Sequence, residues 1–303
     1  MSKAEINSVQ NTAERLQDHL RTLTLAIGER SVYEPENHSR TAEYIESFYR
    51  GIGLEVHTEP YRYQNLSVDN VVAEISFCNS PSQCYLLGAH YDTVFGTVGA
   101  DDNASGIAVQ LETAQHLAAL RGREELDLKV KLVSFALEEP PVFGSRYMGS
   151  RVYARKARKE KEKIDGMICL EMVGYACHED GCQAYPFPLM FFGYPKKGDF
   201  IGVIGNSRSR GLTLSLSRAF QRNSELPVIH LTVPLSGWFL PSVRLSDHSS
   251  FWDQGFKAVM VTDTAFYRNP HYHLSSDTME ELDYTFMAEL VESLLIFFRS
   301  HRL

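Results

Sequence analysis

The stretch GAHYDTVFGTVGADDNASG, from Gly88 to Gly106, sets His90 and Asp92 at the end of an apolar run and Asp101, Asp102 and Asn103 at the mouth of a helix. Further on, Glu138 and Glu139 end the run KVKLVSFAL, and Glu171 follows MICL. Asp247 and His248 stand in SDHSSF, and His271 and His273 lie in NPHYHLSSDT. Gathered into one cleft, so many carboxylates repel one another by an energy on the order of several kcal/mol, and burial adds to the cost. Something positive has to sit among them. Two divalent ions would balance Asp102, Glu138, Glu139 and Glu171, and mixed imidazole and carboxylate ligation suits zinc. A coordination position left open for water makes such a site hydrolytic.

Taken singly, each feature has a plainer explanation. Asp and Asn ahead of a helix cap its free N–H groups, and Asp101 or Asn103 is expected to do so. A pair of glutamates at a strand end is ordinarily solvated. Glu171 is harder to explain without a metal, because a glutamate inside a buried strand needs a partner. His271 and His273, two apart, share a face of an extended segment, so either can serve as a ligand. Cys177, His178 and Cys182 lack the second cysteine pair that would close a tetrahedron, and read as loop. No GxSxG motif supports serine chemistry.

The elements that must position these residues are legible from periodicity. Helical stripes run through Leu16, Leu20, Leu23 and Ile27, then Ala42, Tyr44, Ile45, Phe48 and Tyr49. Others run through Ile107, Leu111, Ala114 and Leu117, and through Phe286, Leu290, Leu294 and Phe297. Strand patterns appear in LEVHTEPYRY, NVVAEISF, CYLLGAHYD, KVKLVSFALEE, MICLEMV, FIGVIG and KAVMVTDT. Their alternation predicts an α/β fold with a mixed, largely parallel central β-sheet and helices on both faces. In such sheets functional residues gather beyond the carboxyl ends of the strands.

The chain has 303 residues, 44% of them hydrophobic and 22% charged, which fits one catalytic domain over 1–303. The region 177–245 is the expected source of a lid and pocket walls, with Tyr185, Phe187, Phe191, Phe192, Trp238 and Phe239 available to line a subsite. A net charge of -8 gives no reason to expect nucleic acid or an anionic membrane as partner. The one basic run, RVYARKARKEKEK, interleaves glutamates at helical spacing and reads as a solvated helix face. No apolar run suggests a membrane span or a signal peptide, so a cytoplasmic location is expected. Five cysteines at irregular spacings suit a reducing compartment, although Cys177 and Cys182 are close enough in sequence for one disulfide.

In this order, HYD, GADDNASG, the EE pair, LEMVGY, SDHSSF and YHLSSDT resemble the M28 family of zinc aminopeptidases over Gly88 to Leu282. The resemblance implies the fold of a zinc-dependent exopeptidase (phosphorylase/hydrolase-like), two zinc ions per chain, and a peptide substrate with a free N-terminus. His90 and Glu171 would hold the first ion, Glu139 and His273 the second, and Asp102 would bridge them. Glu138 would be the general base, and Asp92 would accept the second ring N–H of His90. Asp247 and His248 are expected near the cleft. Three departures stand out. Glu171 occupies a position where many members have aspartate, and Pro140 and Pro141 follow the EE pair. No tyrosine precedes SDH to stabilise an oxyanion, so Arg244 or His248 is the expected substitute. Glutaminyl cyclases, which make pyroglutamate with one zinc, are similar in fold and in several metal positions, and GADDNASG favours the peptidase over them.

Overall fold

A computed structural model describes residues 3–186 and 193–302. The strands are β1 (Glu55–Tyr63), β2 (Leu66–Ser76), β3 (Gln83–His90), β4 (Leu128–Phe135), β5 (Gly166–Leu170), β6 (Ile201–Asn206), β7 (Val228–Val233) and β8 (Ala258–Thr262). They form one sheet in the order β1-β2-β4-β3-β5-β8-β6-β7. The four central neighbours β4, β3, β5 and β8 run parallel, as do β6 and β7. The pairs β1–β2, β2–β4 and β6–β8 are antiparallel. This is the mixed, largely parallel sheet that the sequence predicts. The chemistry of the strands explains their places: GMICL and AVMVT are buried at every position, as parallel strands covered on both faces must be. EVHTEPYRY never becomes fully buried and forms an edge.

On one face lie α1 (Lys3–Leu20), α2 (Pro35–Gly51), α3 (Gly106–Leu120), α5 (Arg210–Phe220) and α7 (Tyr284–Arg299). Leu16, Leu20, Ile107, Leu111, Leu290 and Leu294 are fully buried there, each contributing about 2 kcal/mol through removal of its side chain from water. The opposite face is covered by α4 (Gly149–Glu160) and α6 (His248–Asp253), which pack Tyr153 and Phe251 on Phe135. The basic run falls on α4, where Arg151 pairs with Asp253 and Lys156 with Glu59.

Two features depart from or sharpen the sequence reading. Strand β7, enclosed by Pro227 and Pro234, lies in the region read as lid and pocket wall. Cys177 and Cys182 form a disulfide, while Cys78, Cys84 and Cys169 are free. Among the described residues no helix is long and apolar enough to cross a membrane.

Candidate metal centre

The carboxyl ends of β4, β3, β5 and β8 converge, and the singled-out residues lie at or just beyond them. His90 is the last residue of β3, Glu138 and Glu139 follow β4, and Glu171 directly follows β5. His273 stands in the turns after β8 and Asp102 in the irregular turn Ala100–Ser105 that leads into α3. Local backbone is bent to aim them: His273 has φ +59 and Met172, next to Glu171, has φ +47, both in the left-handed region that side chains disfavour.

The distances divide the cluster in two. His90 Nε2 is 3.4 Å from Asp102 Oδ1 and 3.5 Å from Glu171 Oε2. His273 Nε2 is 3.2 Å from Asp102 Oδ2 and 3.4 Å from Glu139 Oε2. Asp102 therefore turns one oxygen to each group. Two ligand atoms about 2.05 Å from a tetrahedral zinc lie about 3.3 Å apart, which matches these separations. Both ring nitrogens of His90, Asp102 Oδ1 and Glu139 Oε1 are buried without a hydrogen-bond partner. Buried polar atoms are nearly always satisfied, so this concentration of orphans fits a cation-binding donor set. A third grouping, His90 with Glu138 and Glu139, lies within the same reach, with Glu138 Oε2 4.0 Å from His90 Nε2.

These groups also set one another's protonation. Burial opposes charge on His90, but Glu171, Asp102 and Asp92 outweigh it and hold the imidazole well above its ordinary pKa. Burial likewise opposes charge on His273, and Asp102 and Glu139 carry it up to about 10. Asp102 is pushed up by burial yet ends below the usual carboxylate range because His273 and His90 flank it. Burial and the Asp102 charge push Glu139 up to about 8 against His273. Burial dominates at Glu138 too. His90 opposes it, Glu139, Glu171 and Asp247 add to it, and the carboxyl ends well above its ordinary range.

A framework of hydrogen bonds holds the ligand loops. Asp92 Oδ1 lies 3.3 Å from His90 Nδ1, an ion pair when the ring is protonated. Its oxygens also accept the main-chain N–H groups of Glu138 and Glu139 at 2.9 to 3.0 Å. Asp277 does the same for Asp101 and Asp102 at 2.8 and 3.1 Å. Asn103 Oδ1 accepts the N–H of Gly106, so the cap ahead of α3 is Asn103. Ser246 Oγ donates to Glu171 Oε2 at 2.5 Å. Asp247 is buried beneath the site with both oxygens unpaired, and burial pushes it up to about 7 against His90.

The remaining polar residues near the cleft have their own partners. Arg244 donates to Ser236 O and Asp253 Oδ1, and His248 Nε2 pairs with Val243 O while its Nδ1 is buried without a partner. His271 bonds Ser276 and pairs with Glu281, leaving His273 as the cleft histidine. Tyr272 stacks on His273 with ring centroids 3.8 Å apart. Burial raises its phenol, and the charges of Asp102, Glu139, Glu171 and Glu138 raise it further, so its hydroxyl lies within their field.

A cleft open to solvent is lined in part by Glu171 and Tyr272. Gly202, Ile204, Met260 and Thr262 floor it, and Tyr185, Phe200, Val243, Leu245 and Tyr267 wall it. Glu171 is its only carboxylate, and no lysine or arginine lines it among the described residues. Trp238 and Phe239 are instead largely exposed, and Phe187, Phe191 and Phe192 lie outside the described residues. Sequence reasoning missed Asp277 and Tyr272, although both stand in the YHLSSDT segment, and gave Ser246 no role of its own.

The sequence model of peptidase family M28 matches residues 70–297. An uncharacterised protein, YfbL, of Escherichia coli (strain K12) is 36% identical over 290 residues, covering 93% of this chain and 86% of its own length. A probable zinc metalloprotease of Pyrenophora tritici-repentis (strain Pt-1C-BFP) is 23% identical over 76% of this chain; the match spans 48% of that relative. Among solved structures, a zinc aminopeptidase from Bacillus subtilis superposes with a TM-score of 0.73 at 14% identity, over 96% of this chain and 95% of its own. A glutaminyl cyclase of Porphyromonas gingivalis gives 0.69 at 17% identity, over 96% and 98%. At such identities the likeness is one of fold.

Proposed function

The chain belongs to peptidase family M28, and we propose that it is a two-zinc aminopeptidase removing an apolar first residue from peptides with a free N-terminus. The observation that carries this reading is Asp102, whose two oxygens face two separate ligand groups, His90 with Glu171 and Glu139 with His273. Zinc held there supplies Lewis-acid polarisation of the scissile carbonyl and lowers the pKa of water toward neutrality. Glu138 takes a proton from the attacking water and delivers it to the leaving amine. The Tyr272 hydroxyl is the donor available to a carbonyl oxygen as it gains negative charge. The uncharged walls beside Glu171 favour an apolar side chain.

The rival reading is a one-zinc glutaminyl cyclase, favoured by the shared fold. The complete second ligand group, Glu139 and His273 on the far oxygen of Asp102, speaks against it. The experiment that separates them uses three peptides on zinc-loaded protein. Release of leucine from a leucyl peptide but not from its N-acetylated form supports the aminopeptidase. Ammonia release from a glutaminyl peptide without bond cleavage would replace it with the cyclase.

A further inference from the structure

Arg30 is wholly buried, sixty residues from His90 in sequence, and among the described residues it forms no ion pair. Its guanidinium donates to main-chain carbonyls: Nε to Tyr91 at 2.8 Å, Nη2 to Gly99 at 3.0 Å, and Nη1 to Leu23, Gly28 and Val98 at 3.1, 3.0 and 2.8 Å. Its own N–H donates to Thr93 Oγ1 at 3.0 Å. Tyr91 directly follows His90, and Val98 and Gly99 lie just ahead of Asp102. One planar fork thus grips both ends of the loop that joins two metal-ligand candidates. Asp92 and Asp277, which clamp the N–H groups of Glu138, Glu139, Asp101 and Asp102, are the complementary acceptors of this framework. Burial draws the Arg30 pKa down to about 10, with Asp277, Asp92 and Asp102 opposing, so the group remains a cation at neutral pH.

We propose that Arg30 is a positioning residue: by cross-linking the carbonyls of Tyr91, Val98 and Gly99 it fixes His90 against Asp102 at the separation that metal binding requires. The rigid fork does this, not the charge alone, because a lysine ammonium has three donors in place of five and no fixed plane. The inference rests on the two-ion reading of the cleft.

The test compares zinc affinity, by chelator competition on folded protein, among the wild type, Arg30→Lys, Arg30→Gln and Leu294→Ala. Leu294 is a buried residue of α7 away from the loop, so its variant reports what a general loss of stability does to the site. The expected result is that both Arg30 variants bind zinc about 10- to 100-fold more weakly, that Lys rescues no more than Gln, and that Leu294→Ala binds normally despite a lowered Tm. In the Arg30 variants reconstituted with excess zinc, kcat should fall while KM changes less than about threefold. If Gln at 30 prevents folding, Arg30→Lys carries the comparison. Affinities in Arg30→Lys that match the wild type, or that fall no further than in Leu294→Ala, overturn the proposal. A wild type that binds no zinc sinks the two-ion reading instead.

Discussion

Replacing Glu138 with glutamine keeps the side chain's size and removes its ability to take a proton. The backbone there should not move, because the N–H groups of Glu138 and Glu139 are held by Asp92 at 2.9 to 3.0 Å. A positioned general base contributes about 10²- to 10⁴-fold to rate, which is roughly 2.7 to 5.5 kcal/mol of barrier. The middle of that range is expected, a fall in kcat of about 10³, because the carboxyl is buried beside His90 with an affinity for protons raised well above that of a free glutamate. The variant should also be more stable than the wild type when metal-free at neutral pH, since burial, with Glu139, Glu171 and Asp247, makes the folded Glu138 carboxyl take up a proton that glutamine does not need. The assay is release of p-nitroaniline from its leucyl anilide, with zinc per chain counted by elemental mass spectrometry in the same samples. Activity within threefold of wild type refutes the base assignment. Loss of one zinc would make Glu138 a ligand, as its membership of the His90–Glu138–Glu139 grouping permits.

Further outcomes follow from the same geometry. Tyr272→Phe should lower kcat by about 10² with zinc content intact, the typical loss when one oxyanion donor is removed; unchanged kcat would free Tyr272 from that role. Asp102→Asn cannot present a negative oxygen to both groups, so zinc binding should drop from two ions to at most one tight ion, read by titration; two tight ions in the variant would contradict bridging. The metal-free protein should lose Tm as pH rises from 6 to 8. Glu139 at about 8, Asp247 and Asp277 at about 7 and His273 at about 10 all sit above their unfolded values, so the folded state holds more protons and stability falls with pH. Asp102, shifted the other way, matters only in acid. Added zinc must displace these protons, so its stabilising effect should grow over the same range. Calorimetry on chelated and zinc-loaded samples reads both trends, and a metal-free Tm that climbs with pH would oppose them.

Why some of this is legible in the sequence and some is not has a physical basis. His90, Glu138, Glu139 and Glu171 show themselves because each is a polar residue at the end of an apolar strand, where burial makes its type anomalous. Asp102 and His273 show themselves through the GADDNASG and YHLSSDT patterns around them. The groups that hold these residues do so through main-chain amides and carbonyls, a kind of partnership that leaves no spacing signature: Arg30 reads as one more arginine, and Asp277 as part of a turn. Two residues past His90, Asp92 reads as its neighbour, but its work on the Glu138 and Glu139 amides depends on how β3 and β4 lie side by side. Strand β7 escaped because VIHLTV is half exposed and framed by prolines, so that it resembles loop more than sheet.

The central claim, that two zinc ions share Asp102, is tested most directly by anomalous diffraction at the zinc edge from crystals grown with zinc. The account predicts two peaks about 3.5 to 4 Å apart, one between His90 and Glu171 and the other between Glu139 and His273, each within bonding distance of one Asp102 oxygen. One peak, or two that do not share Asp102, would contradict it.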